Sequence, residues 1–161
     1  MPKTLQKITS CLWFDTEAED AANFYTSIFD NSRILKIARY GKAGPRPEGS
    51  VLTVDFELSG QRFVGLNGGP EFPFTEAVSL MVDCDTQQEV DELWETLTDG
   101  GKESQCGWLK DRYGLSWQIV PSVLVEMISD DDSERSNRVM ESMLKMVKLD
   151  IAELQRAYDG K

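Results

Sequence analysis

The feature that most constrains this chain is one pattern used twice. Residues Ile8 to Phe14 form a short apolar run rich in β-formers, ending at Asp15-Thr16. Thr16 and Glu19 have capping-box spacing, and Ala21, Phe24, Tyr25 and Ile28 follow at helical spacing until Asp30-Asn31-Ser32 breaks it. The same order then returns. Ala77 to Cys84 reads as a strand, Asp85 with Gln88 repeats the box, and Val90, Leu93, Trp94 and Leu97 repeat the stripe before Gly100-Gly101. Thr16 and Asp85, Glu19 and Gln88, Phe24 and Leu93, and Ile28 and Leu97 each stand 69 residues apart. One offset held through four positions predicts a duplicated unit more firmly than any single helix assignment does.

After the first helix come three strand candidates, over residues 33–40, 50–58 and 62–67. Ser59-Gly60 joins the last two as a hairpin, while residues 41–49, with three glycines and two prolines, read as a loop. Gly60-Gln61-Arg62-Phe63 is echoed by Gly114-Leu115-Ser116-Trp117 at an offset of 54, so the second unit is the shorter. The expected organisation is one α+β domain over residues 1–122, with units 7–67 and 76–121, a Gly- and Pro-containing linker 68–75, and a C-terminal helical extension 123–161. In that extension Met140, Leu144, Val147, Ile151, Leu154 and Tyr158 step by three and four, which predicts one long amphipathic helix closed by Gly160. Its apolar face covers either its own domain or a partner subunit.

Composition narrows the function classes. The net charge of -11 repels phosphate backbones and anionic lipid, so nucleic acid and membrane are not expected partners. Three widely spaced cysteines, Cys11, Cys84 and Cys106, make neither a disulfide framework nor a thiolate zinc site; with no apolar leader at the N-terminus, a cytoplasmic protein is expected. Histidine is absent, which excludes Ser-His-Asp and Cys-His chemistry and removes the commonest transition-metal ligand. Catalysis would have to use carboxylates, Tyr, Lys, Cys or bound water. Asp55 and Glu57, alternating with Val54, Phe56 and Leu58, read as a solvated strand face; Cys106 reads as a packed thiol; Asp111-Arg112-Tyr113-Gly114 reads as a hairpin connection.

The wording of several segments goes further than the pattern. Trp13-Phe14-Asp15-Thr16-Glu17-Ala18-Glu19-Asp20, Leu66-Asn67-Gly68-Gly69-Pro70 and the run from Cys106 to Pro121 resemble the PhnB-like branch of the vicinal oxygen chelate superfamily, which includes glyoxalase I, extradiol dioxygenases and bleomycin-resistance proteins. The resemblance implies tandem βαβββ units forming a glyoxalase-like paired half-barrel around a cavity. It also implies dimers, and a homodimer is expected. Metal-dependent members enclose a divalent ion with four strand residues; carried over, those positions are Thr9 or Ser10, Gly65, Ala77 or Val78, and Gln118. These offer one hydroxyl and one amide, so no metal is expected. What the resemblance then implies is a cavity that binds a small organic molecule, lined by Ser10, Trp13, Gly65, Asn67, Ser79, Trp108 and Gln118, with no cofactor. An enzyme working in the same cavity through a carboxylate, Tyr or water base is the alternative. Families of this branch carry a ubiquinone-methyltransferase label, yet no strand here runs into a G-x-G-x-x-G turn that would seat a nucleotide-like cofactor.

Overall fold

A computed structural model of the chain describes residues 6–161. The chain divides into two compact units, residues 1–73 and 74–161.

The first unit runs β1 (Ser10–Phe14), α1 (Ala18–Ile28), β2 (Arg33–Arg39), β3 (Val51–Leu58) and β4 (Gln61–Asn67), with sheet order β1-β4-β3-β2. β1 pairs parallel with β4, and the other pairs are antiparallel. The β3-β4 hairpin turns at Ser59 and Gly60, both at positive φ, as a two-residue turn requires. Alternation sends Leu12 and Phe14, Val54, Phe56 and Leu58, and Phe63 to one face, where they are buried with Ala18, Ala21, Ala22 and Tyr25 of α1. Gly65 belongs to that face, since a Cβ there would stand 3.2 Å from the Cβ of Ala18. The cap of α1 differs from the expected capping box. The residue before the helix, Glu17, makes no side-chain cap, and the N–H of Ala18 instead donates to Oδ1 of Asn67 on β4 at 2.9 Å.

The second unit repeats the order with β5 (Ser79–Cys84), α2 (Gln87–Thr98), β6 (Lys102–Glu103), β7 (Trp108–Lys110) and β8 (Ser116–Pro121), in sheet order β5-β8-β7-β6. The cap of α2 falls one residue later than expected: Thr86 Oγ1 accepts from Glu89 N, and Glu89 Oε2 accepts from Asp85 N. Val90, Leu93, Trp94 and Leu97 bury one stripe of α2 in the same core as Leu109, Trp117 and Ile119. Two βαβββ units on this plan make the chain α+β, as the duplicated pattern predicts.

The tail departs from the single long helix expected. It forms α3 (Ser122–Ile128), α4 (Ser133–Met143) and α5 (Ile151–Asp159). The break at residues 144–150 has a tertiary cause, because Met146 and Val147 give their carbonyls to the N–H groups of Cys106 and Gly107, both at 2.8 Å. Asp150 then caps a new helix by accepting from Glu153 N, and Gly160 closes it in the left-handed conformation. Val139, Leu149 and Leu154 are buried with Val120, Leu124 and Met127, so this part of the tail packs on its own unit.

Candidate functional site

Each sheet has one face under its helix and one face turned away from it. In the first unit the strand register aligns Cys11, Val64, Asp55 and Lys36, and beside them Trp13, Leu66, Thr53 and Ala38, on the face away from α1. The carboxylates there are paired. Arg62 reaches Asp55 at 3.5 Å and Arg33 reaches Glu57 at 3.1 Å. The two carboxylates are therefore half-buried partners of arginines, a correction to the solvated face expected of them. Trp13 is fixed as well, its Nε1–H donating to Gly69 O at 2.8 Å and its ring meeting Phe72 edge-on.

Ser10, Gly65 and Asn67 do not share that face. Ser10 is in register with the buried Phe63, and Gly65 lies against Ala18. Asn67 is 6% exposed and both side-chain polar atoms and its carbonyl are engaged: Oδ1 with Ala18 N, Nδ2 with Val51 O at 3.1 Å, and the carbonyl with Tyr40 Oη at 2.6 Å. Its side chain ties α1 and β3 to the end of β4.

In the second unit, Ser79, Trp108 and Gln118 come together on the face away from α2. Gln118 stands between Met81 and Trp108 in the register, and its Nε2–H donates to Ser79 Oγ at 2.9 Å. The adjacent row crosses all four strands as Lys102, Lys110, Ser116 and Ser79. Lys110 Nζ lies 2.7 Å from Glu76 Oε1. The Lys110 ammonium, aided by Lys102, holds the Glu76 carboxyl below the usual carboxylate range. A cleft of about 130 Å³ opens over this row, lined by Glu76, Lys102, Ser104, Trp108, Lys110 and Ser116 among others.

The register also explains why Ser10 and Ser79 part company. Three residues connect β1 to α1 but only two connect β5 to α2. The helices therefore keep the offset of 69, while Phe14 matches Cys84 at 70. The counterpart of Ser79 is Thr9, and a one-residue slip in a strand exchanges its faces.

The remaining candidates are structural. Burial pushes the Cys84 thiol up to about 12, with Glu89 adding to the effect, and burial also raises that of Cys11. Neither is an activated nucleophile. The hairpin residue Asp111 carries more than sequence reasoning assigns to it. It is 2% exposed and accepts from Tyr113 N, Leu115 N and Trp117 Nε1 at 2.8, 3.1 and 2.8 Å. The Asp-x-x-Gly spacing signals the turn; its burial comes only with the tertiary fold.

The divalent ion of metal-dependent vicinal oxygen chelate proteins is not matched by the donors at the positions carried over. Gly65 faces a helix, Ala77 and Val78 bring no side-chain donor, and Thr9 and Gln118 are neutral. Among the described residues, no group of three or more Cys, Asp or Glu is arranged to hold an ion. No helix among them is long and apolar enough to cross a membrane.

Two four-stranded sheets, each built from a βαβββ unit, define a fold of the vicinal oxygen chelate type. The chain belongs to the 3-demethylubiquinone-9 3-methyltransferase family, whose profile matches residues 6–120. A PhnB protein of Bacillus cereus, described under that same family name, is 41% identical over 73% of this chain and all of its own, with a TM-score of 0.67. Two more distant structures share the fold. Protein PA1353 of Pseudomonas aeruginosa is 18% identical over 73% of this chain and 98% of its own, with a TM-score of 0.60. The fosfomycin resistance protein FosX of Mesorhizobium loti is 12% identical over 81% of this chain and all of its own, with a TM-score of 0.55. No curated protein matches the chain.

Proposed function

We propose that this chain is a glyoxalase/bleomycin-resistance-type protein that holds a small, partly apolar organic molecule without a divalent ion. The observation that carries this reading is Gln118, set between Trp108 and Met81 in the register and donating to Ser79, on the face of the second sheet away from α2. A neutral amide already oriented by a hydroxyl offers its remaining oxygen as a directed acceptor, and an indole beside it supplies apolar area that a guest removes from water. Without a divalent ion the site presents no dication to a guest, which favours one that is mostly apolar. Trp13 offers an indole on the corresponding face of the first unit. The methyltransferase name has no counterpart in the chain's own motifs, since no strand in it runs into a G-x-G-x-x-G turn.

Screening metabolites and antibiotics by tryptophan fluorescence and thermal shift should find at least one compound that stabilises the protein. Gln118→Ala should weaken its binding by about 1–3 kcal/mol, the cost of a buried hydrogen bond left unmade. Binding that is indifferent to both Gln118→Ala and Trp108→Ala would move the site elsewhere. About one zinc, nickel, iron or manganese per chain in the purified protein, lost in Gln118→Ala, would overturn the metal-free part.

A homodimer belongs to the same proposal, supported by the exposed Met140, Leu144 and Val147 on the tail. Light scattering should give twice the chain mass, and a monomer at high concentration would reject it.

A further inference from the structure

Ser116 on β8 is fully buried, and its Oγ has no hydrogen-bond partner among the described residues. Folded chains seldom leave such a group unpaired, so its surroundings indicate what it awaits. It lines the cleft of the second unit and stands in register with Lys110, which is itself opposite Lys102. Two like charges directly across a ladder disfavour each other. A single carboxylate answers them both, and the chain supplies one. Glu76, in the segment before β5, binds Lys110, and its side chain is 63% exposed. Lys102 makes no ion pair of its own among the described residues.

We propose that this cleft is a carboxylate subsite in which the ligand's carboxylate takes the place of Glu76. It accepts from the Ser116 hydroxyl and from the ammonium groups of Lys110 and Lys102, while the apolar body of the ligand lies against Trp108. The inference rests on the small-molecule reading above and gives that ligand its class, an apolar monocarboxylate. The charge count selects the monoanion. Lys102 and Lys110 are matched in the cleft lining by Glu76 and Glu103, and Glu103 is already engaged as the acceptor from Trp94 Nε1. A monocarboxylate exchanged for Glu76 preserves that balance; a dianion adds an unmatched charge to a chain at -11.

The test is an NMR titration of the full chain with benzoate, using benzamide and phenylphosphonate as the neutral and dianionic comparators. Benzoate should shift the amide signals of Lys102, Trp108, Lys110 and Ser116 and the Trp108 indole, and the comparators should bind at least about tenfold more weakly. Glu76→Gln removes the internal competitor and should tighten benzoate binding about fivefold, while Lys102→Met loosens it about fivefold. Ser116→Ala should loosen it about tenfold and yet leave the melting temperature of the ligand-free protein unchanged or higher, because an unpaired buried hydroxyl has gone. That melting readout separates lost binding from lost folding. Absence of benzoate binding in both the wild type and Glu76→Gln overturns the subsite, as does tighter binding of phenylphosphonate. Benzoate binding that falls in Gln118→Ala but not in Ser116→Ala or Lys102→Met overturns the subsite and leaves the small-molecule reading standing.

Discussion

The sheet faces turned away from α1 and from α2 come from one duplicated plan and have diverged in how they settle their charges. In the first unit each acidic residue on that face is matched across the ladder by an arginine, Asp55 by Arg62 and Glu57 by Arg33, and Trp13 is tied to Gly69. In the second unit two lysines face one another, a hydroxyl is unpartnered, and the carboxylate that pairs with a lysine there, Glu76, comes from a connecting segment. On the first face the unpartnered buried atom, Arg62 Nε, belongs to a side chain already committed to Asp55; on the second it is a hydroxyl beside two lysines. Duplication permits this, because a fold with two copies of a sheet can keep one for stability and free the other for a ligand.

The hairpins differ in the same way, and this gives the largest expected effect. The first unit turns on Ser59-Gly60, whereas the second is held by one buried carboxylate with three donors. Asp111→Ala leaves those donors unpaired and should cost at least about 3 kcal/mol, or prevent folding. Denaturant unfolding checks it, and a loss under 1 kcal/mol would make the two hairpins equivalent. The tail adds a core that the first unit lacks. Leu154→Ala, fully buried among Val139 and Leu149, should cost about 2–5 kcal/mol. Helix starts come next. Asn67→Ala removes the distant cap of α1 and a bond to β3, for about 2 kcal/mol, against about 1 kcal/mol for the local cap in Thr86→Ala. Equal losses would mean that the first cap is as local in its energetics as the second.

These same residues show how far the sequence could be read. The order of elements, both helix stripes, the Ser59-Gly60 turn and the closure at Gly160 were legible because each depends on near neighbours: hydrophobic period, turn conformation, a left-handed cap. What depends on distant groups was not. Thr16 and Glu19 satisfy the capping-box pattern, but Asn67, far along the chain, takes the Ala18 N–H. The apolar stripe from Met140 to Tyr158 is continuous, but Cys106 and Gly107 capture two of its carbonyls and break the helix. For the site, Ser79, Trp108 and Gln118 do share a face, whereas Ser10 fell on the opposite one through a single residue in the β-α connection. Spacing carried through a helix says nothing of the loop before it, and in a strand one residue decides the face. Lys102, Lys110 and Ser116 carried no sequence signal, because only the pairing of β6, β7 and β8 sets them in one row.

The smallest effect tests whether the tail's hold on the second unit is electrostatic or a matter of shape. Gln87 at the start of α2 donates to Leu149 O and accepts from Ile151 N, and beside it Asp91 meets Lys148 at 2.7 Å. The Lys148 ammonium, then the Gln87 amide, hold the Asp91 carboxyl below its ordinary value. A carboxyl whose folded pKa lies under its unfolded one, about 3.9, adds stability above that pH and loses it as the pH falls through the folded value. The contribution should therefore be present at neutral pH and disappear below about pH 4. Both side chains are more than two-fifths exposed, so solvent screening limits the pair to about 0.5 kcal/mol. Asp91→Asn should flatten the acid limb of the stability profile slightly and leave amide exchange at Ile151 slow, because the Gln87 bond to that N–H persists. Gln87→Ala should do the reverse, speeding exchange at Ile151 across the whole pH range. If Asp91→Asn instead freed α5 at neutral pH, charge rather than backbone capture would be what holds the tail to the second unit.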